Sequence, residues 1–173
     1  MGIAKPSTVG SILRALHSIE KKTGLGYEVS LEATHHGPTD LEVPVTFVEI
    51  GSSPREWVDR KAGEVVARAV ISASTPKCLQ AVGVGGPHYS PRHTEACLYT
   101  KVWVGHVLPK YVSLDEELLE LAVERTQGGV SLFLVDKKGL NSIQRRIVFK
   151  ASEKLGIKVI NTTDAAFQQS FKT

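Results

Sequence analysis

Apolar residues recur at helical spacing almost from the start of the chain. Val9, Ile12, Leu13, Leu16 and Ile19 follow Pro6 and Ser7 and run up to Gly24-Leu25-Gly26, which predicts a helix with proline in its first turn and glycine at its stop. The period then changes to two. Tyr27, Val29, Leu31 and Ala33 alternate with Glu28, Ser30, Glu32 and Thr34, the pattern of a strand with one polar face. A second strand is predicted from about 44 to 50. Beyond the turn at 51–54, a helix is expected from 55 to about 72, with Trp57, Val58, Val65, Val66, Ala69 and Val70 on its apolar stripe.

A short apolar run at 78–83 passes directly into Gly83-Val-Gly-Gly-Pro-His88-Tyr-Ser-Pro91, and a strand feeding a glycine-rich loop often marks a functional edge of an α/β sheet. Strand-like segments follow at 96–99 and 102–108. The last third is regular: a helix from 113 to about 125 feeds a strand at 130–135, and a helix from about 142 to 155 feeds a strand at 157–160. Such alternation predicts an α/β fold with a mixed, largely parallel sheet flanked by helices. Residues 1–173 read as a single domain, and the weakly apolar tail at 167–173 is expected to fray.

Composition fits that reading. The 173 residues are 42% hydrophobic, enough for a sizeable core. No run approaches the roughly 18 consecutive apolar residues of a membrane span, and the first ten residues lack a secretory pattern, so a soluble, cytoplasmic protein is expected. Cys78 and Cys97 form no CxxC pair and suit a reducing compartment as buried spectators. The net charge of +3 permits a polyanionic partner without establishing one. The cations that would matter are Arg14 with Lys21 and Lys22, Lys137 with Lys138, and Arg145 with Arg146, each equally readable as a solvated face.

Five of the six histidines, His35, His36, His88, His93 and His106, fall in loops or at predicted strand ends. By two-residue periodicity Glu49 shares a face with Val43, Val45 and Phe47, so its carboxylate should meet a donor, a cation or a metal. Adjacent His35 and His36 point to opposite sides of an extended chain, and join one site only if the chain turns at Gly37-Pro38. The simpler expectation is that one contacts the reacting groups and the other is structural. Asp40 or Glu42 could orient an imidazole. Gly85 and Gly86 could let the backbone place N–H groups against an anion or an oxyanion beside His88 and Tyr89. His93 and His106 read equally well as satisfied structural histidines. Together these residues point to hydrolysis, either with Zn²⁺ held by histidines and a carboxylate or with a histidine or Glu49 as general base. Neither a GxSxG nucleophile nor an HExxH motif is present.

The strings Leu31-Glu-Ala-Thr-His-His-Gly-Pro-Thr-Asp40, Val45-Thr-Phe-Val-Glu-Ile-Gly-Ser52, Gly83 to Pro91 and Gly105-His-Val-Leu-Pro-Lys-Tyr111 resemble the archaeal and plant type of D-aminoacyl-tRNA deacylase. The resemblance implies hydrolysis of the ester joining a D-amino acid to the terminal ribose of tRNA, an association with zinc, and a fold of the phosphorylase and peptidyl-tRNA hydrolase type. It makes His35, His36, Glu49 and His88 the leading catalytic and metal-ligating candidates; Asp40, Glu42, Gly85, Gly86, Tyr89, His93 and His106 stand beside them as supporting residues on the reading of the sequence alone. Members of that family carry a substantial further N-terminal α/β segment, which here would be missing or supplied by a separate partner chain. The chain itself would be a monomer or small homo-oligomer. Two other readings stay open: a peptidyl-tRNA hydrolase-like or peptidase-like enzyme acting on another acyl group, and a non-catalytic tRNA-binding or assembly module.

Overall fold

The computed structural model describes residues 1–164; the expected fraying at 167–173 lies outside them. The first helix, α1 (Pro6–Thr23), has proline at its start and ends at Gly24, whose φ of 65° closes the helix in the left-handed region. The long helix expected at 55–72 is two helices, α2 (Pro54–Trp57) and α3 (Arg60–Ile71). Asp59 causes the break: its carboxylate accepts from the amides of Lys61 and Ala62 and starts a new helix. Ala62, Val65 and Ala69 are then buried, while Trp57, Val58 and Val70 face solvent.

The remaining elements are β1 (Leu79–Val84), α4 (Pro91–Tyr99), β2 (Val102–Leu108), α5 (Glu116–Glu124), β3 (Leu132–Val135), α6 (Ser142–Leu155) and β4 (Lys158–Asn161). The four strands form one sheet in the order β2-β1-β3-β4, and every neighbouring pair is parallel. Alternation along the strands divides the core. Ala81, Leu132 and Leu134 meet Leu13, Ala96 and Cys97 on one face, whereas Val82, Val84, Phe133 and Val135 meet Leu119, Ala122, Val148 and Ala151 on the other. Helices therefore cover both faces, as parallel strands require. The strand order reverses between β1 and β3, where the loops leaving their carboxyl ends pack closely, Gly139 against Gly86.

Two expectations from the sequence fail. Residues 96–99 are the last turn of α4, which starts at Pro91 and buries His93, Thr94, Ala96 and Cys97 at helical spacing; a short apolar run carries no period of its own. The segments at 27–34 and 44–50 are not ladder strands. Their regular pairings are the isolated bridges Glu32 to Tyr89 and Ile3 to Pro44, and within 44–50 the backbone bond among the described residues is that from the Val45 amide to the Ile3 carbonyl. Alternation marks a chain able to be a strand, but a strand needs a neighbour to bond.

Candidate functional site

The carboxyl ends of β1 and β2 bring three loops together. The chain at 31–34 is pinned there by backbone bonds from Ala33 to the His88 carbonyl, Thr34 to the Val107 carbonyl and Ser90 to the Leu31 carbonyl. The Leu31 amide also donates to the buried Thr94 hydroxyl at 2.9 Å. These bonds set Glu32 beside the loop that follows β1. His88 Nε2 lies 2.9 Å from Glu32 Oε1 and His88 Nδ1 lies 2.8 Å from the Tyr111 hydroxyl. His35 Nε2 and His36 Nε2 each lie 3.5 Å from Glu32 Oε2. One carboxylate thus faces three imidazoles.

Burial pushes the Glu32 carboxyl up, but the hydrogen bonds from His88, His35 and His36 outweigh it and hold the group below the usual carboxylate range. Glu32 is then ionised at neutral pH and can only accept, so His88 keeps a proton on Nε2 and, when neutral, receives the Tyr111 hydroxyl at Nδ1.

Both adjacent histidines join the cluster, against the simpler expectation of one inside and one structural. Their ring centroids are 3.9 Å apart, His35 lies 4.8 Å from His88, and His36 stacks on Phe47 at 4.8 Å. Glu49 comes within 3.1 Å of His36 Nε2, so it does meet a partner. It is half exposed, however, rather than buried on an apolar strand face. His36 Nε2 is itself buried and lacks a hydrogen bond of good geometry, although two carboxylates surround it. A nitrogen in that position is suited to a cation. Glu32, His35 and His36 offer one ligand atom each within 4.8 Å of one another, a donor set of two imidazoles and a carboxylate that could hold a metal ion.

Of the other candidates, Tyr89 and His106 line the same cavity as the cluster. Asp40 and Glu42 are exposed, and the carboxylate that orients the imidazoles is Glu32. Gly85 and Gly86 adopt φ of 91° and 81°, yet their backbone closes the fold. The Gly85 amide donates to the Leu108 carbonyl, and Gly139 packs so tightly on Gly86 that a Cβ at 139 would stand 2.4 Å from the Gly86 nitrogen. They permit close loop packing. His93 is fully buried between the Ser90 hydroxyl and the Leu134 carbonyl, 2.9 Å from the latter, and burial lowers its pKa. His106 is buried as well, bonded to the Arg125 carbonyl at 3.1 Å, and burial lowers its pKa too. Tyr89 is exposed, with its ring edge-on to His88 at 5.2 Å.

Sequence reasoning missed Glu32 and Tyr111. Glu32 falls on the polar face of the predicted strand, although a carboxylate three and four residues before two histidines is itself a signal. Below the cluster lies a cavity of about 480 Å³ whose walls include Ile12, Leu16, Val29, Val45 and Val65, with Glu32, His35, His36 and Glu49 among its polar lining. An apolar chamber with a few polar groups is the usual form of a small-ligand site.

Residues 1–160 match the sequence family described as D-aminoacyl-tRNA deacylase. The chain belongs to that family. Similar proteins include the D-aminoacyl-tRNA deacylases of Methanosarcina acetivorans, 40% identical over 166 residues that cover 95% of this chain and 55% of the relative, and of Ignicoccus hospitalis, 44% identical over 164 residues covering 92% and 65%. A crystal structure of a conserved protein of unknown function superposes with a TM-score of 0.90 at 35% identity, covering 100% of this chain and 61% of that one. The chain thus spans little more than half the length of several deacylases it resembles. No helix among the described residues is long and apolar enough to cross a membrane.

Proposed function

We propose that this chain carries the hydrolytic centre of a D-aminoacyl-tRNA deacylase, releasing a free D-amino acid and tRNA from their ester in the cytoplasm. The observation that carries the reading is the Glu32 carboxylate shared by His35, His36 and His88 beside an apolar cavity able to receive an amino-acid side chain. Family membership supplies the substrate class.

Glu32, His35 and His36 would hold a zinc ion, with Glu49 bearing on His36 from the other side. When bound, zinc supplies a Lewis acid that polarises the ester carbonyl and lowers the pKa of water. The proton carrier is His88. Its Nδ1, held by the Tyr111 hydroxyl before reaction, accepts the proton of the attacking water, and Glu32 stabilises the imidazolium through Nε2. The same proton passes to the ribose oxygen as the ester bond breaks.

The test is single-turnover hydrolysis of D-aminoacyl-tRNA against its L counterpart, on metal-analysed protein before and after chelation and zinc return. Cleavage selective for the D ester, lost on chelation and restored by zinc, supports the reading. Cleavage of an N-acyl-L-aminoacyl ester instead would move the chain to a peptidyl-tRNA hydrolase type.

A second reading has its own observation. The extended segments at 27–34 and 44–50 carry strand patterns without a ladder, and the relatives have further length that this chain does not span. On this reading, part of that additional length pairs with these segments and completes the site, in the same polypeptide or a partner chain. It predicts tRNA binding without turnover until the segment is supplied.

A further inference from the structure

The histidine cluster accounts for an ester but not for the RNA attached to it. Beside the cluster, three elements converge on one rim. The Lys110 amide donates to the Gly86 carbonyl at 2.9 Å, and the Lys110 carbonyl accepts from Gln144 Nε2 at 3.0 Å. Lys137 and Lys138 lie in the short 3₁₀ turn (Lys137–Gly139) that packs Gly139 on Gly86. Arg145 is anchored by Nε to the Leu140 carbonyl at 3.1 Å.

These four cations are exposed. Among the described residues none has a carboxylate within ion-pair distance, whereas Arg92 and Lys154 are paired with Glu95 and Glu120. Asp136, next to the lysines, is half buried and turned against Gly86. Unpaired cations gathered on one rim do not stabilise the fold, because they repel one another; they suit an anionic partner. Two exposed tyrosines flank His88. Tyr111, 62% exposed, bonds its Nδ1, and Tyr89, 53% exposed, meets its ring edge-on. Phosphates need cations, and unstacked bases need aromatic faces.

We propose that Lys110, Lys137, Lys138 and Arg145, with Tyr89 and Tyr111, form the surface that binds the single-stranded 3′ end of an RNA. The cations hold its phosphates, the tyrosines stack on its unpaired bases, and the terminal ester is thereby delivered to the cavity that Glu32, His35 and His36 line. The inference rests on the deacylase reading for the ester and stands on its own for RNA binding.

Two labelled RNA hairpins of equal charge test it, one with an unpaired 3′ tail and one with its nucleotides all paired, titrated by fluorescence anisotropy at several salt concentrations. The parent chain should prefer the tailed RNA by about tenfold or more. Lys137→Ala/Lys138→Ala should weaken binding to both hairpins and reduce the slope of log affinity against log salt by about 1.4, some 0.7 for each lost phosphate contact. Tyr89→Ala should abolish the preference for the tail while leaving the salt slope intact. Circular dichroism of each variant confirms that it is folded. No preference for the tail in the parent, or an unchanged salt slope in the double lysine variant, overturns the proposal. Hydrolysis of D-aminoacyl-adenosine, which has no phosphate, separates the two ideas. If the parent cleaves neither that ester nor the charged tRNA, the deacylase reading fails while the RNA titrations still decide the surface.

Discussion

Glu32 Oε1 accepts a hydrogen bond from His88 Nε2 at 2.9 Å, joining segments 56 positions apart. The bond ties the loop after β1 to the chain that carries His35 and His36, so the cluster forms only when the sheet edge has formed.

Glu32→Gln removes the charge and keeps the shape. A neutral amide cannot hold His88 Nε2 as strongly as a carboxylate does, nor balance a cation. Single-turnover hydrolysis should fall by about 100-fold or more, and zinc affinity by about 10- to 100-fold. Metal stoichiometry after dialysis, measured with the rate, checks both. Normal zinc content and a normal rate would remove Glu32 from the centre of the site.

Stability should decline on mild acidification. His93 and His106 have folded pKa values below their usual 6.5, because burial disfavours their charged forms. Below about pH 6.5 the unfolded chain binds protons that the folded chain refuses. The stabilisation is therefore complete above that value and is lost as pH falls toward each folded pKa. While both groups differ in protonation, each steepens the loss by up to about 1.4 kcal/mol per pH unit. Urea midpoints between pH 7.5 and 5 measure this, and a flat profile over that range would contradict it.

Gly10→Ala tests the packing of α1 on β2. Helix propensity alone favours alanine by about 1 kcal/mol. A Cβ at position 10, however, would stand 2.3 Å from the Trp103 ring, and that ring is confined beneath the Arg14 guanidinium, 4.9 Å from its centroid. Forcing it aside costs on the order of 1–3 kcal/mol. The net effect should be a lower melting temperature, measurable by differential scanning calorimetry; a rise would mean that the ring yields freely.

Helices and parallel strands were legible wherever period and boundary signals agreed. Asn141 at the start of α6 and Gly156 at its end bracket an apolar stripe that predicts the helix over its observed length. Where a run is short, as at Ala96–Cys97–Leu98, no period exists to read, and the proline six residues after Gly85 was the better guide to α4. His35, His36 and His88 were found because imidazoles in loops stand out. Glu32 and Tyr111 were not, since their importance lies in contacts with residues far away in sequence. The glycines after β1 show the same limit: their left-handed conformations were foreseeable, but the packing of the loop at 136–140 against them was not.

The stretch at 44–50, with its single backbone bond among the described residues, follows Val43 and contains Phe47, which are 59% and 43% exposed. Open amides and carbonyls next to greasy side chains are a template for edge-to-edge pairing with any other extended chain. In concentrated solution this chain should consequently be sticky. Its turbidity threshold should sit at lower concentration than its +3 net charge would suggest, and Phe47→Lys should raise it.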